Sequence, residues 1–385
     1  MLGFDYADNM EYNRLKRENS GQIVEFLDRV FTLHNGVNMN FKADYPRIFC
    51  DCDEPMSWHI GAVENGIMYG CAGNYPIDYN IGDTVLKIGA IENVAVDPSC
   101  RGRGIMQNML NQLLREEDEK GFDMYHLLGD RWRYRNFGFE RCGSQYAFEF
   151  TYSMLGKEKP KTEFEFLQIK KGDSAIPSLY ELYSSQKTYV HVEPENFEMS
   201  VLDDRHKSFA VKNKVGEIVG FLMTNADGNV FTDIALAETK HIKDLMKCYF
   251  KFSGHKKIYM SLPLHSEYFD FAFSNSERYT ISQPGCFRIV NFKKVTETFM
   301  REKSLYEYLP DGKVTIDSEI FGKWSIEKHR DIISVNPFEG EADYILPGFS
   351  IYNFLFGTMR YKSNSKKDML ATAWLPLPLY APAFR

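Results

Sequence analysis

The chain of 385 residues is poor in several features that would have pointed to other functions. Its seven cysteines are odd in number and scattered, and Cys50-x-Cys52 has no matching Cys or His pair downstream at zinc spacing. Neither a disulfide framework nor a structural metal is expected. No apolar run approaches the length of a membrane span, and the first residues, MLGFDYADNMEYNRLKREN, lack the apolar core of a secretory signal. A reducing cytoplasm is the expected compartment. There is no basic excess either, since the formal net charge is −7. Nucleic acid needs a basic face for counterion release, so it is not an expected partner, and a cationic or amine-bearing small molecule is easier to accommodate.

Two common phosphate loops are missing as well. A P-loop needs Lys-Ser/Thr after its second glycine, and here Gly104 is followed by Ile105 and Met106. A dinucleotide fingerprint needs a third glycine where Gln107 stands.

What is present is an apolar run, IENVAV, that ends in Asp97-Pro98 and opens into SCRGRGIMQNMLNQLL. A strand stops, a glycine-and-arginine turn follows, and a helix begins. Gly102 and Gly104 let the backbone wrap closely around a ligand, while Arg101 and Arg103 add positive charge at the same place. Ile105, Met109, Leu110, Leu113 and Leu114 recur at helical spacing just after the turn. The turn therefore sits on a helix N-terminus, whose first N–H groups lack intrahelical partners and favour anions. The expected ligand of this cradle is a pyrophosphate.

The residues Arg101, Gly104 and Met106 form Arg-x-x-Gly-x-Met, which resembles motif A of the GNAT N-acetyltransferase superfamily, Arg/Gln-x-x-Gly-x-Gly/Ala. Met106 departs from the small final residue of that motif. Together with Tyr134-Arg135-Asn136-Phe137-Gly138-Phe139, this departure resembles the Eis (enhanced intracellular survival) family of acetyltransferases.

The resemblance implies a mixed α/β fold of three parts. They are an N-terminal GNAT domain over 1–153 with the acetyl-coenzyme A site, a degenerate GNAT-like domain over 154–285, and a sterol-carrier-like α+β domain over 286–385. Hydrophobic residues at 44% and aromatic residues at 15% supply enough material for such cores. The pattern predicts a first helix over 20–34, then strands over 58–63, 67–75 and 85–96, the cradle helix, a strand over 124–128, a short helix over 132–136 and a last strand over 147–152. The polar stretch KEKPKTEFE reads as a linker. Strands over 208–213, 218–224 and 229–236, a helix over 241–252 and a strand over 257–262 then repeat the order. In this second unit Ala237-Glu238-Thr239-Lys240 stands where the glycines would be, so one cofactor site per chain is expected. Short β runs over 287–292, 312–316, 322–327, 332–335 and 342–345 lead to a helix over 350–359 and an apolar tail.

Acetyl transfer from a thioester to an amine needs a held cofactor, a polarised carbonyl, an unprotonated amine and a protonated leaving thiolate. Arg101, Gly102, Arg103, Gly104, Ile105, Met106 and Gln107 are the expected pyrophosphate holders. The backbone of Val94, Ala95 and Val96 is placed to pair with the pantetheine arm and to direct one N–H at the thioester oxygen. By resemblance Gly129 and Asp130 line the cofactor, and Tyr134 is the general acid that protonates the thiolate; a phenol, with a reference pKa of about 10, suits that task.

Two groups compete for general base. The resemblance gives the role to the α-carboxylate of the last residue, here Arg385. Strand alternation offers Glu92 instead, on the same face as Val94 and Val96. His126, alone on the adjoining strand, reads as structural, and the cluster Asp51, Asp53 and Glu54 beside Pro55 reads as a solvated loop. The leading function is an acetyl-coenzyme A-dependent N-acetyltransferase acting on an amine of a small, cationic, aminoglycoside-like molecule, without a metal. The alternative is an acetyl-coenzyme A sensor or apolar-ligand carrier without turnover. The resemblance also implies a homo-oligomer, a hexameric ring.

Overall fold

The computed structural model describes residues 9–358 and 368–380. Three sheets organise them. The first begins with Glu11–Arg14, His59–Glu64, Ile67–Ile81 and Thr84–Val96, each antiparallel to the next, and then pairs Thr84–Val96 in parallel with Met124–Leu127. That parallel pairing covers only Ile88 to Ala90 against Met124 to His126. Beyond it the two strands part, and the gap leaves room for a ligand between them. The cradle helix Ile105–Asp118 connects them and buries Ile105, Met109, Leu110, Leu113 and Leu114 against the sheet. The opposite face is covered by the helix Ser20–Asn35 through Ile23, Phe26, Leu27 and Val30.

The second sheet has the same plan. His206–Lys212, Ile218–Asn225 and Val230–Leu236 are antiparallel, and Val230–Leu236 runs parallel to Ile258–Leu262 after the helix Ile242–Ser253. The expected repeat of element order is present. Sheet membership, however, does not follow chain order. The strand Gln145–Phe150, expected to close the first unit, pairs with Ile258–Leu262 and Arg278–Ser282 in the second sheet. Its counterpart Gly285–Ile289 returns to the first sheet and lies between Met124–Leu127 and Glu140–Cys142. Each sheet is thus completed by a strand from the other's stretch of chain. The two strands read alike in sequence, and only partner geometry assigns them.

The third sheet is Ile332–Pro337, Gly322–His329, Gly312–Ser318 and Tyr344–Leu346, with helices Phe292–Ser304, Ser350–Phe356 and Met369–Trp374 around it. The β run expected over 287–292 ends early, at Ile289, and Phe292 opens a helix whose cap is the Asn291 side chain, accepting from the Lys294 amide. Helices Ile176–Ser184 and Pro194–Val201 carry no strong periodic signal in sequence. They fill the space between the first and second sheets through Leu179, Tyr183, Phe197 and Val201.

Candidate active site

The site is built at the splay of the first sheet. Two residues of Thr84–Val96 face one residue of Ile67–Ile81 there, since Cys71 pairs with Ala95 while Gly73 pairs with Glu92. This is a β-bulge, and Asn93 within it has φ 55°, the left-handed region that asparagine tolerates better than most residues. A buried polar chain holds the bulge. Asn93 Nδ2 donates to the Tyr75 hydroxyl, which lies 2.9 Å from His59 Nε2, and His59 Nδ1 lies 3.0 Å from the Pro55 carbonyl. Burial pushes the His59 imidazole down to about 4. A neutral ring that donates from Nδ1 and accepts at Nε2 satisfies the whole chain.

The bulge corrects the expected placement of Glu92. Ile91, Val94 and Val96 pack on the cradle-helix side, whereas Ala90 and Ala95 lie in the core on the opposite side. Strand alternation is shifted by the extra residue, so Glu92 shares a face with Ala90 and Ala95, not with Val94 and Val96. On that face it sits in a crevice with Tyr45 and with Arg205 of the second unit, whose guanidinium lies 4.0 Å from the Tyr45 ring centroid. Desolvation pushes the Glu92 carboxyl up to about 7, against the opposing pull of Arg205. No hydrogen bond or ion pair engages it among the described residues.

The cradle follows directly. Asp97 accepts from the Ser99 amide at 2.9 Å and the Ser99 hydroxyl at 2.6 Å, and Arg29 of the covering helix lies 2.6 Å from its other oxygen. The Ser99 bonds, aided by Arg29, hold its carboxyl down at about 2. Gly102 and Gly104 take φ of 85° and 77°, and a β-carbon at either would meet no atom within 4 Å. Backbone handedness, not crowding, is what demands glycine here. Gly104 is the N-cap of the cradle helix.

A cleft of about 590 Å³ opens over this turn. Val94, Ala95, Val96, Arg101, Gly102, Gly104, Ile105, Met106 and Gln107, nine of the residues expected to hold the cofactor, line it. Three expected residues lie elsewhere. Arg103 points to the outer side in an ion pair with Glu64 at 3.2 Å. Asp130 caps the short helix Arg131–Arg135, accepting from the Arg133 amide at 2.9 Å. Gly129 lies under the Tyr134 ring, where a β-carbon would stand 2.4 Å from Tyr134 Cε2. Sequence reasoning missed the other wall, made by Val30, Phe31 and His34 of the covering helix and by Arg133, Asn136 and Phe137. The apolar face of Ser20–Asn35 was legible, but which sheet edge it overhangs was not.

Tyr134 is 8% exposed, with Phe137 and Phe139 at ring distances of 6.5 and 6.3 Å. Burial pushes its phenol up to about 12, with Arg133 opposing and Glu92 adding to the rise. The hydroxyl is therefore protonated at any ordinary pH. His126 is buried, is pushed down to about 4 by desolvation, and packs on Phe287 at 5.0 Å. Its surroundings are those of a core residue. Arg385 lies outside the described residues. Among those described, no group of three or more His, Cys, Asp or Glu is placed to hold a metal, and no helix is long and apolar enough to cross a membrane.

Residues 11–142 match the family described as the acetyltransferase (GNAT) domain. These residues form a GNAT acetyltransferase domain. The match stops just before Gln145, where the chain leaves the first sheet for the second. No curated protein matches the chain by sequence. Solved structures match along almost the whole length. A GCN5-related N-acetyltransferase from Anabaena variabilis is 16% identical with a TM-score of 0.68, covering 97% of this chain and 98% of that one. Eis1 from Mycobacterium abscessus is 13% identical with a TM-score of 0.66, covering 97% and 99%. A GCN5-related N-acetyltransferase from Kribbella flavida is 13% identical with a TM-score of 0.63, covering 90% and 89%. The GNAT domain thus stands at the head of an Eis-like architecture, with a second GNAT-like sheet behind it.

Proposed function

We propose that the chain is an acetyl-coenzyme A-dependent N-acetyltransferase acting on an amine of a small, cationic molecule. The observation that carries this reading is the cleft over the left-handed turn at Gly102 and Gly104, lined by nine of the residues expected to hold the cofactor. Near it lie Tyr134, whose phenol burial keeps protonated, and Glu92, whose carboxyl desolvation raises and whose charge acts on Tyr134. Two groups whose environments separate their proton affinities in this way suit an acid and a base.

In this reading the backbone amides around Gly102 and Gly104 hold the pyrophosphate, helped by Arg101 and the positive end of the cradle helix. Val94, Ala95 and Val96 take the pantetheine arm as a further strand. The bulge directs a backbone N–H at the thioester oxygen, where negative charge grows as the tetrahedral intermediate forms. Glu92 accepts a proton from the acceptor's ammonium, freeing the nitrogen lone pair for attack on the thioester carbon, and Tyr134 delivers one to the departing thiolate. The preference for a cationic acceptor rests on the net charge of −7 and on Glu92 itself, whose neighbour Arg205 is already ion-paired with Asp203 at 2.8 Å. The sterol-carrier-like character of the last part and assembly into a ring belong to the same proposal, as does a three-part organisation in which the first two parts exchange Gln145–Phe150 and Gly285–Ile289 across the expected boundaries at 153 and 285.

The experiment is a steady-state comparison of Tyr134→Phe and Glu92→Gln with the parent, alongside titration with acetyl-coenzyme A. Each variant should bind the cofactor at the parent affinity and lose roughly 10²- to 10⁴-fold in turnover, as expected for removal of a general acid or base. Turnover unchanged in Glu92→Gln but lost on extending the chain past Arg385 would move the base to the terminal carboxylate. Binding without turnover on any amine would favour the sensor.

A further inference from the structure

The second sheet repeats the splay of the first without its anion cradle. Its parallel strands pair only at Val230 with Tyr259 and at Phe231 with Met260, and then part. The opening is not filled. A cavity of about 190 Å³ starts at residues 232–234 and 261–263 and is closed by segments from elsewhere in the chain, including Tyr79, residues 186–190 and the end of the helix Phe292–Ser304.

The wall carries an unusual group. Glu302 lines this cavity and is half-buried, and its Oε2, closed off from solvent, has no hydrogen-bond partner among the described residues. Desolvation pushes its carboxyl up to about 8. Glu267 and Asp233 add two more carboxylates, and burial raises Glu267 while Lys187 opposes the rise. Lys187 is the single lysine of the wall, and its ammonium lies 5.9 Å from the Tyr306 ring centroid. His265 stacks on Tyr306 at 4.7 Å, lowered by burial, with its Nδ1 unpartnered among the described residues. The phenols of Tyr79 and Tyr380 complete the surroundings of Glu302.

We infer that this cavity is a second ligand site, which seats a small organic ammonium ion on Glu302 with tyrosine rings around its carbon frame, apart from acetyl transfer at the cradle. A buried carboxyl with an open oxygen is costly unless it stays protonated or meets a cation. Aromatic faces add attraction for that cation and contact for its apolar part. Phosphate-bearing ligands would meet one lysine against three carboxyl groups on this wall. Size sets the class further: a cavity of about 150 Å³ accommodates benzene, so an amine of similar bulk fits here. At pH 7 Glu302 holds its proton, so seating an ammonium ionises the carboxyl and sends that proton to solvent, while the ligand keeps its own.

The test uses the full chain with benzylammonium as probe and benzyl alcohol as its uncharged counterpart. Calorimetry at pH 7 in two buffers of different ionisation enthalpy reads affinity and protons released together. Binding of benzylammonium should release close to one proton, and the alcohol should bind at least tenfold more weakly. Glu302→Gln keeps the shape, and should abolish proton release and weaken binding tenfold or more. Tyr306→Leu should weaken binding several-fold. Both variants should leave acetyl-coenzyme A titration and acetyl transfer at parent values, which separates this site from the proposed catalytic one. Absence of binding at millimolar probe, equal affinity for the alcohol, or binding lost in Glu92→Gln but kept in Glu302→Gln would each overturn the inference. The last result would place the probe in the Glu92 crevice.

Discussion

Gly129→Ala tests the position of Tyr134 without touching its chemistry. A β-carbon at Gly129 would stand 2.4 Å from Tyr134 Cε2, 2.9 Å from Cδ2 and 3.2 Å from Leu127 Cδ1. Carbon atoms rest at about 3.5–4.0 Å, so the ring must withdraw by roughly 1 to 1.5 Å. Gly129 is not among the glycines with left-handed backbone, so the ring alone opposes alanine. Pressing an extra methyl into this packed site should cost about 1–3 kcal/mol of stability. A displacement of about 1 Å at a reacting group costs on the order of 10²-fold in rate. Turnover should therefore fall about a hundredfold, while the KM for acetyl-coenzyme A stays within a few-fold, because the cleft walls do not include Gly129. The assay is release of free coenzyme A thiol under saturating amine, with circular dichroism and cofactor titration as controls. Combined with Tyr134→Phe, the alanine should add little further loss, since the phenol is already gone. Parent turnover in folded Gly129→Ala, or a loss that adds in full to that of Tyr134→Phe, would refute the placement of Tyr134 as acid.

Gly104→Glu should abolish acetyl-coenzyme A binding, because glutamate opposes both the left-handed backbone and the pyrophosphate charge, and the parent should titrate with one site per chain; calorimetry reads both. The acidic limb of kcat/KM should rise with pH through about 7, as Glu92 loses its proton, and should flatten in Glu92→Gln, while no alkaline limb from Tyr134 should enter below about 10. Because Glu92 and Glu302 titrate above the unfolded range when folded, their contribution to stability is full below about 4.5 and is lost as pH climbs from there to about 7 to 8, so Tm should decline across that span and decline less in Glu302→Gln. A fragment ending at residue 153 should not give a stable first unit, because it lacks Gly285–Ile289 and leaves Met124–Leu127 and Glu140–Cys142 without the strand between them; a two-state melt of that fragment would contradict the strand exchange.

The cradle was legible in the sequence because its chemistry is local. A strand, two glycines in left-handed conformation and an amphipathic helix are specified by neighbours within a few residues, and nine of the residues expected to hold the cofactor do line one cleft. Element order in both GNAT-like sheets was legible for the same reason. Tertiary structure decided what depends on distant partners. A one-residue bulge at Asn93 shifted the side-chain period and turned Glu92 to the other face, and no periodicity within the strand marks where that shift falls. Gln145–Phe150 and Gly285–Ile289 have similar apolar patterns, so the pairing surface, not composition, determined which sheet each one completes. Proton affinities lay further still from the sequence. Glu92 is raised by desolvation against the pull of Arg205 from the second unit, and Glu302 by desolvation in a cavity that remote segments close. Desolvation is a property of everything packed around a group, so it comes into being only when the chain is folded.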